Sequence, residues 1–541
     1  MEVTQARKPW FPMVVVALGQ VTATMNLNFL PVSIGGIVNE FGAAPTAVST
    51  AIVVYSIAVA GFIMLGAKLG KKYGSTRIFR LAAAVLLLAA VLVTFSPGMN
   101  FLIAAQGVAG LGAALIMPAL VVQISHEYDG PQKAQAIGIL GAVQAGATVA
   151  AFFLAGVLGT QLGWRYAFGL IIPLAALTLY LSGRLRPVQP QTGIGLDGVG
   201  IVLCAAAVVL LSLGVDRISS WGLLLAKSDA PVSLFGLSPA LVVIVLGVFA
   251  IQLFLAWCQR RQRSQRTPLL PPEVLRARSS RTAVVALMAI VMIGSGLNFL
   301  VPLYIQMVQG RTSLETAAAL VPYQLAVLAA SLLVAGLYER MSPRGIARYA
   351  FAVVALALTA LAFTVRNEWS NQLVIAALVM AGLGQGALLT LLFTLLLSSA
   401  PQWLVGDVGA LRGAARNLAN GVGTALSGAL VVGLLGANLH HKVHEHPQIP
   451  TSLIDQVNLN RPAFLSNEQL EVVLARTTAT PRQREVAAEI NAEARLRALK
   501  LTLMFLAGLA LLMVVPVRGL PGGIWIPGRA AAAEATKQAV S

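Results

Sequence analysis

Apolar stretches of about 20 residues recur along almost the whole chain, and as a helix each rises about 30 Å, the depth of a bilayer's hydrocarbon. No water is available there to satisfy open backbone groups, so spanning segments must be helices or closed barrels. The runs are continuous and lack the alternation of barrel strands, which selects helices. Composition agrees: of 541 residues, 57% are hydrophobic and 11% charged, too little polar material to cover a water-soluble globule. The pattern predicts an all-α polytopic membrane protein of fourteen spans, near 12–36, 46–68, 78–96, 101–124, 133–159, 164–183, 197–215, 238–257, 282–308, 314–338, 345–365, 372–399, 408–436 and 498–516.

An even number of spans places both termini on one side, and charge selects the side. With a cytoplasmic N-terminus, about 25 of the 38 Lys and Arg fall on the cytoplasmic face. The short outer loops then hold only Arg165, Arg217, Lys227, Arg311 and Arg366. The expected location is therefore the inner (cytoplasmic) membrane, multi-pass, with both termini cytoplasmic. The net charge of +18 sits in clusters beside helix ends, such as Lys68, Lys71, Lys72, Arg77 and Arg80, or Arg260, Arg261, Arg263 and Arg266. Topology and contact with membrane lipids account for these, and no nucleic-acid partner is expected. Cys204 and Cys258 lie within or at the end of spans, so no disulfide framework is suggested. The start, MEVTQARKPW, carries no small-residue cleavage site and reads as leading into an uncleaved first helix.

Three segments interrupt the helical rhythm: a Pro/Gly-rich basic linker at 184–196, a basic connector at 258–281, and a polar outer segment at 437–497. In the last, Ser466 with Gln469 and Thr480-Pro481 with Gln483 have helix-start spacing. A small outer two-helix hairpin is expected, acting as a solvated lid or spacer, or docking a periplasmic adaptor protein. His440 and His444 have the i, i+4 spacing of a metal pair. Pro447 follows and no Cys accompanies them, so a solvated turn and no metal is expected. No nucleotide loop or buried nucleophile–base pair is recognisable, so neither an enzyme nor a cofactor is expected.

Several motifs occur in order. LIAAQGVAGLGAALIMPAL from Leu102 resembles the fourth-helix signature of the major facilitator superfamily, and LGKKYGSTR from Leu69 resembles its basic loop, with Gly74 in place. GWRYAFGLIIP from Gly163, PLYIQMVQGRTSLETAAALVP from Pro302, AGLGQGALLT from Ala381 and RGAARNLANGVGTAL from Arg412 resemble the fourteen-helix drug:proton antiporter branch. The resemblance implies two six-helix bundles and alternating access around a midplane site. It divides the chain into a first bundle (1–183), two inserted spans with basic linkers (184–281), second-bundle helices (282–436), an outer loop (437–497), and a last helix with a cytoplasmic tail (498–541).

The chain departs from that family where coupling is concentrated. Thr22 stands at the first-helix carboxylate position, Lys71 replaces the loop Asp, Gln106 replaces the fourth-helix Arg, and Ala151-Phe152 replaces the fifth-helix Gly-Pro pair. No ionisable residue is placed deep in a predicted span; Arg412 and Arg416 are read as lying near the cytoplasmic start of helix thirteen. Glu127, Asp129, Asp216, Glu315 and Asp407 lie near span edges. Export is thus better supported than proton-driven export, because proton exchange needs an intramembrane group that titrates.

What the spans do carry is polar and uncharged. Gln20, Thr24 and Asn28 form one stripe of helix one, with Asn26 beside it. Gln106, Gln144, Asn298, Gln306, Tyr323, Gln324, Gln385, Asn417 and Asn420 add polar groups on other helices. Each alone suits helix-to-helix bonding, worth about 0.6 kcal/mol; together they suit a path for a neutral or amphipathic organic molecule. The expected activity is export of such a molecule. Movement of a lipid or lipid-linked intermediate is the alternative, and a transport-inactive sensor or assembly protein the third reading. Lys71, Lys72, Gly74 and Arg77 form the expected gating loop. Lys71 there meets the positive end of a helix dipole, which predicts a resting bias toward the inward-open state.

Overall fold

The computed structural model describes residues 8–523 except 192–194, 228–229, 234–235, 367–371, 399–403, 446–469, 472, 473, 476, 478 and 479. Among the described residues, fourteen helices are long and apolar enough to cross a membrane. They are α1 (Phe11–Val32), α2 (Pro45–Tyr73), α3 (Ser75–Thr94), α4 (Met99–Glu127), α5 (Gly130–Gln161), α6 (Trp164–Ser182, interrupted at Leu170), and α7 (Gly198–Asp216). Then follow α8 (Pro239–Arg263), α9 (Arg278–Leu303), α10 (Ser313–Leu333), α11 (Pro343–Thr364), α12 (Gln372–Ser398), α13 (Val405–Glu445) and α14 (Pro481–Met513). The helix starts carry their own chemistry. Pro occupies the first turn of α2, α8, α11 and α14, where its missing N–H costs nothing. Side chains of Ser238, Ser342, Thr312 and Thr480 accept from first-turn N–H groups.

Two bundles result, and they repeat one packing device. Each contains the sequence Ala-Gly-Leu-Gly, at 109–112 on α4 and 381–384 on α12. A Cβ at Gly110 would lie 2.7 Å from the Cβ of Ala58 on α2, and one at Gly382 would lie 2.9 Å from the Cβ of Ala326 on α10. The second glycine of each pair faces the next helix: Gly112 meets Leu86 on α3, and Gly384 meets Ala350 and Val354 on α11. Lipid tails are as apolar as leucine, so close backbone approach, rather than hydrophobic burial, draws such helices together. GWRYAF serves the first bundle as a clamp. Gly163 holds a φ of 102°; the Trp164 Nε1 donates to Glu40 (2.6 Å), and Arg165 pairs with Glu40 and donates to the Thr94 and Ser96 carbonyls.

The inserted pair is fastened at one residue. α7 lies against α2 and α13, while α8 packs on α7. The buried Asp197 caps α7 by accepting from the Gly200 N–H (3.0 Å), and also accepts from Trp257 on α8 (3.0 Å) and from the Leu269 N–H (3.2 Å). Arg261 completes the group at 3.5 Å. Cys204 and Cys258 are free and buried.

Of the expected outer hairpin, the first arm lies largely outside the described residues, and the second is continuous with the last span. α13 continues to Glu445, and α14 begins at Pro481 and runs unbroken into the last span. The Thr480–Gln483 capping box is present, but it starts the membrane helix itself, because no breaker separates Ala487 from Leu499. The division at 497/498 therefore falls inside one helix. Ser466, Gln469, His446 and the tail from 524 lie outside the described residues, as do the side chains of His440, His441 and His444.

Removing the Asp197 carboxylate strands Arg261, Trp257 and two N–H groups together. Asp197→Ala should destabilise the protein by about 3 kcal/mol, lowering the thermal unfolding midpoint in detergent. Asp197→Asn, which keeps one acceptor, should lose less.

Candidate functional site

α2 of the first bundle runs along α13 of the second, forming one seam between the bundles; α5 and α10 form the other. We call the end bearing Lys68–Arg80 and Arg260–Arg281 the basic end, and its opposite the far end. The far end is sealed. α1 ends just after Pro31, whose missing N–H interrupts the ladder, and a short helix, Ile34–Phe41, follows after Ser33. Gln306, in a π-helical turn after α9 (Tyr304–Val308), serves both groups at that joint. Its Nε2 donates to the Val32 carbonyl (2.9 Å), and its Oε1 accepts from the Gly35 N–H (2.7 Å). Beside it, Thr160 accepts from the Leu314 N–H (2.9 Å), and Gly156 and Gly159 let α5 press against Ser313 and Ala317. Nearer the basic end, α5 makes no such close approach. A Cβ at Gly138, Gly141 or Gly146 would meet nothing within 4 Å, and Leu325, Leu332 and Leu333 on α10 are exposed.

Most of the expected pathway residues bond to one another. Gln20 donates to Thr24 (2.9 Å) and Asn28 to the Thr24 carbonyl (2.7 Å), both within α1. Asn26 donates to Gln106 on α4 (2.9 Å), leaving the buried Nε2 of Gln106 without a partner among the described residues. In the second bundle Gln324 donates to Asn298 (3.1 Å) and Tyr323 to Gln385. Asn417 turns back to the Gly413 carbonyl (2.9 Å), while Asn420 crosses between bundles to Ser56 (2.9 Å). Gln144 is half-buried on α5. Thr22, at the expected carboxylate position, is spent on the Leu18 carbonyl (2.8 Å). The geometry thus brings together three pairs across helices inside the bundles, while Asn420 and Gln306 bond across to the opposite bundle.

At the gating loop the structure departs from the expected dipole clash. Asp407, in the first turn of α13, forms ion pairs with Lys68 at 3.3 Å and Lys71 at 3.8 Å. The acid that neutralises this loop is supplied by the facing bundle, so Lys71 meets a carboxylate and not a bare helix N-terminus. Lys72 lies over the Tyr73 ring, Gly74 holds a φ of 94° at the α2–α3 turn, and Arg77 is exposed. Sequence reasoning also placed Arg412 and Arg416 near the helix start. With α13 starting at Val405, they fall in its third and fourth turns, ahead of its most apolar part. Arg495, assigned to the outer segment, is fully buried on α14. Asp216 borders a cavity of about 290 Å³ between α2, α7 and α13, where Thr50 donates to it at 3.2 Å. These contacts join residues far apart in sequence, and no spacing announces them. Glu315 is used in the Thr312 capping box, and Asp129 pairs with Lys8 at 2.6 Å, which holds its carboxyl below the usual range.

Loss of the Gln306 side chain removes two hydrogen bonds, worth about 1 kcal/mol each. With Asn298→Cys as reporter and the native cysteines replaced, Gln306→Ala should raise maleimide labelling from the far face roughly five- to thirtyfold. Unchanged labelling would show that Gln306 does not hold that end shut.

A family model described as Major Facilitator Superfamily matches residues 16–424. A puromycin resistance protein of Streptomyces alboniger is 26% identical over 82% of this chain and 86% of its own length. A methylenomycin A resistance protein of Bacillus subtilis is 26% identical over 77% and 87%. Among solved structures, a bacterial homologue of the lysosomal transporter Spinster, inward-facing and unoccupied, superposes with a TM-score of 0.64 at 15% identity, covering 97% of this chain and all of that one. With fourteen apolar helices in two bundles, the chain is a multi-pass membrane transporter, not an enzyme, and it belongs to the Major Facilitator Superfamily.

Proposed function

We propose that this transporter exports a hydrophobic or amphipathic small molecule by alternating access, with the basic end and both termini in the cytoplasm of the cell whose inner membrane it spans. The observation that supports the reading is an asymmetry along the bundles: Gln306 and Thr160 bond across the far end, while the α5 glycines nearer the basic end, Gly138, Gly141 and Gly146, face open space. Entry would then be from the cytoplasm or the inner leaflet, and the self-paired amides of α1, α4, α9, α10, α12 and α13 would line the path. Paired amides exchange partners at small cost, because each pair is worth less than about 1 kcal/mol. A passing neutral group can substitute for either member without leaving a charge exposed. The names of the relatives, which are resistance proteins, support export over uptake.

The loop around Lys71 would fasten only the α2–α13 seam at the cytoplasmic side, leaving entry to the α5–α10 side. Its Lys68–Lys71–Asp407 group joins the bundles along the α2–α13 seam, and partly buried pairs of this kind keep most of their attraction.

Two tests follow from this reading. Expression in a host lacking its own efflux pumps should raise tolerance to lipophilic antibiotics several-fold, and accumulation of the same compounds should fall in step. Unchanged accumulation across a broad panel would reject export. In the second, a double-mutant cycle of Lys68→Ala with Asp407→Ala should give a coupling of about 1 kcal/mol in unfolding experiments. A coupling near zero would remove this fastening.

A further inference from the structure

Two arginines of the second bundle form no ion pair among the described residues. Arg412 and Arg416 lie one turn apart on α13, in its third and fourth turns. Like charges at this spacing repel. The Arg412 guanidinium lies 3.7 Å from the centre of the Phe393 ring on α12, and its buried Nε makes no hydrogen bond among the described residues. Arg416 stands within electrostatic reach of Tyr55 on α2. Neither arginine has a described acid at ion-pairing distance; Asp407, nearest in sequence, is engaged by Lys68 and Lys71. Gly413, between them in sequence, brings α13 close to Ile63 of α2, so the pair sits beside the inter-bundle seam. Both side chains remain partly accessible.

An ionised group in such surroundings is expensive unless it is paired. Arginine does not escape by losing its proton, since it remains charged at any physiological pH. Phe393 satisfies one face of Arg412 through a cation–π contact, which leaves the edges of the fork free. Those edges match the two oxygens of a carboxylate or phosphate.

We propose that Arg412 and Arg416 form an anion-binding site within the transport cleft, taking the carboxylate or phosphate group of an amphipathic molecule whose apolar body lies along Phe393 and Ile63. This rests on the export reading for the claim that the bound molecule is cargo, and it sharpens the substrate class from uncharged to anionic. The amide pairs would contact the body and the arginines the head.

The full chain in phosphatidylcholine nanodiscs would be titrated with three probes that share one apolar body: pyrenebutyrate, pyrenebutanol and pyrenebutyl-trimethylammonium. Pyrene-labelled phosphatidylglycerol, against pyrene-labelled phosphatidylcholine, forms a lipid arm. Fluorescence polarisation should show the acid, or the anionic lipid, binding about tenfold more tightly than its uncharged or zwitterionic counterpart. Arg412→Gln and Arg416→Gln should each erase that preference while leaving pyrenebutanol affinity unchanged, and Arg412→Lys should keep most of it. Preference for the acid identifies a soluble anion, and preference for phosphatidylglycerol a lipid headgroup. If neither arm shows a preference that depends on the arginines, the inference is overturned. Without ligand, the Gln variants should unfold at the same or a higher temperature, because an unpaired charge has been removed. A fall of several degrees with loss of pyrenebutanol binding would assign the arginines to structure and overturn it as well. The two readings separate in proteoliposomes. Pumping of pyrenebutanol without anion preference would retain export and reject the anion site; anion binding with no pumping of any probe would do the reverse.

Discussion

Hydrocarbon supplies no hydrogen-bond partners, and the architecture follows from where the chain finds substitutes. Backbone groups are satisfied within helices, so the sites of interest are those where a helix fails. α1 fails after Pro31, and the exposed carbonyl of Val32 and N–H of Gly35 are both served by one glutamine of the opposite bundle. A local defect in one bundle thereby becomes a contact between bundles. The same need explains why the amides of the spans are found in pairs: Asn26 with Gln106, and Asn298 with Gln324.

Side chains contribute little driving force to assembly here, so shape carries it. The two Ala-Gly-Leu-Gly segments place glycines against a neighbouring backbone in both bundles, and at equivalent helices. Each bundle is consequently tight within itself, while the seams between bundles combine fewer glycines with polar and charged contacts such as Asn420–Ser56 and Lys68–Asp407. That difference lets the bundles move as units.

The spans were legible because hydropathy at this length is governed by bilayer thickness, and all fourteen fall where apolar runs place them. Motifs were legible in type but not in partner. The loop from Leu69 reads as a gate from its own residues, yet its acid is Asp407, more than three hundred positions away. Hydropathy marks where a helix becomes apolar, whereas α13 starts at Val405, so Arg412 and Arg416 fall in its third and fourth turns. Arg495 was misplaced because α14 starts well before its apolar stretch. Of the pathway residues, spacing identified the polar stripe on α1 but could not say that its members would bond to each other.

The length of α14 has a mechanical consequence. Its 33 residues make a rod of about 50 Å, of which the hydrocarbon occupies about 30 Å. The rest projects past the far end as one piece with the span, started cleanly by Thr480. A tilt of about 10° within the membrane therefore moves the projecting tip by about 3–4 Å. The first turns of α14 are a lever whose fulcrum is the bilayer, and a load applied to their tip is felt by the bundle below.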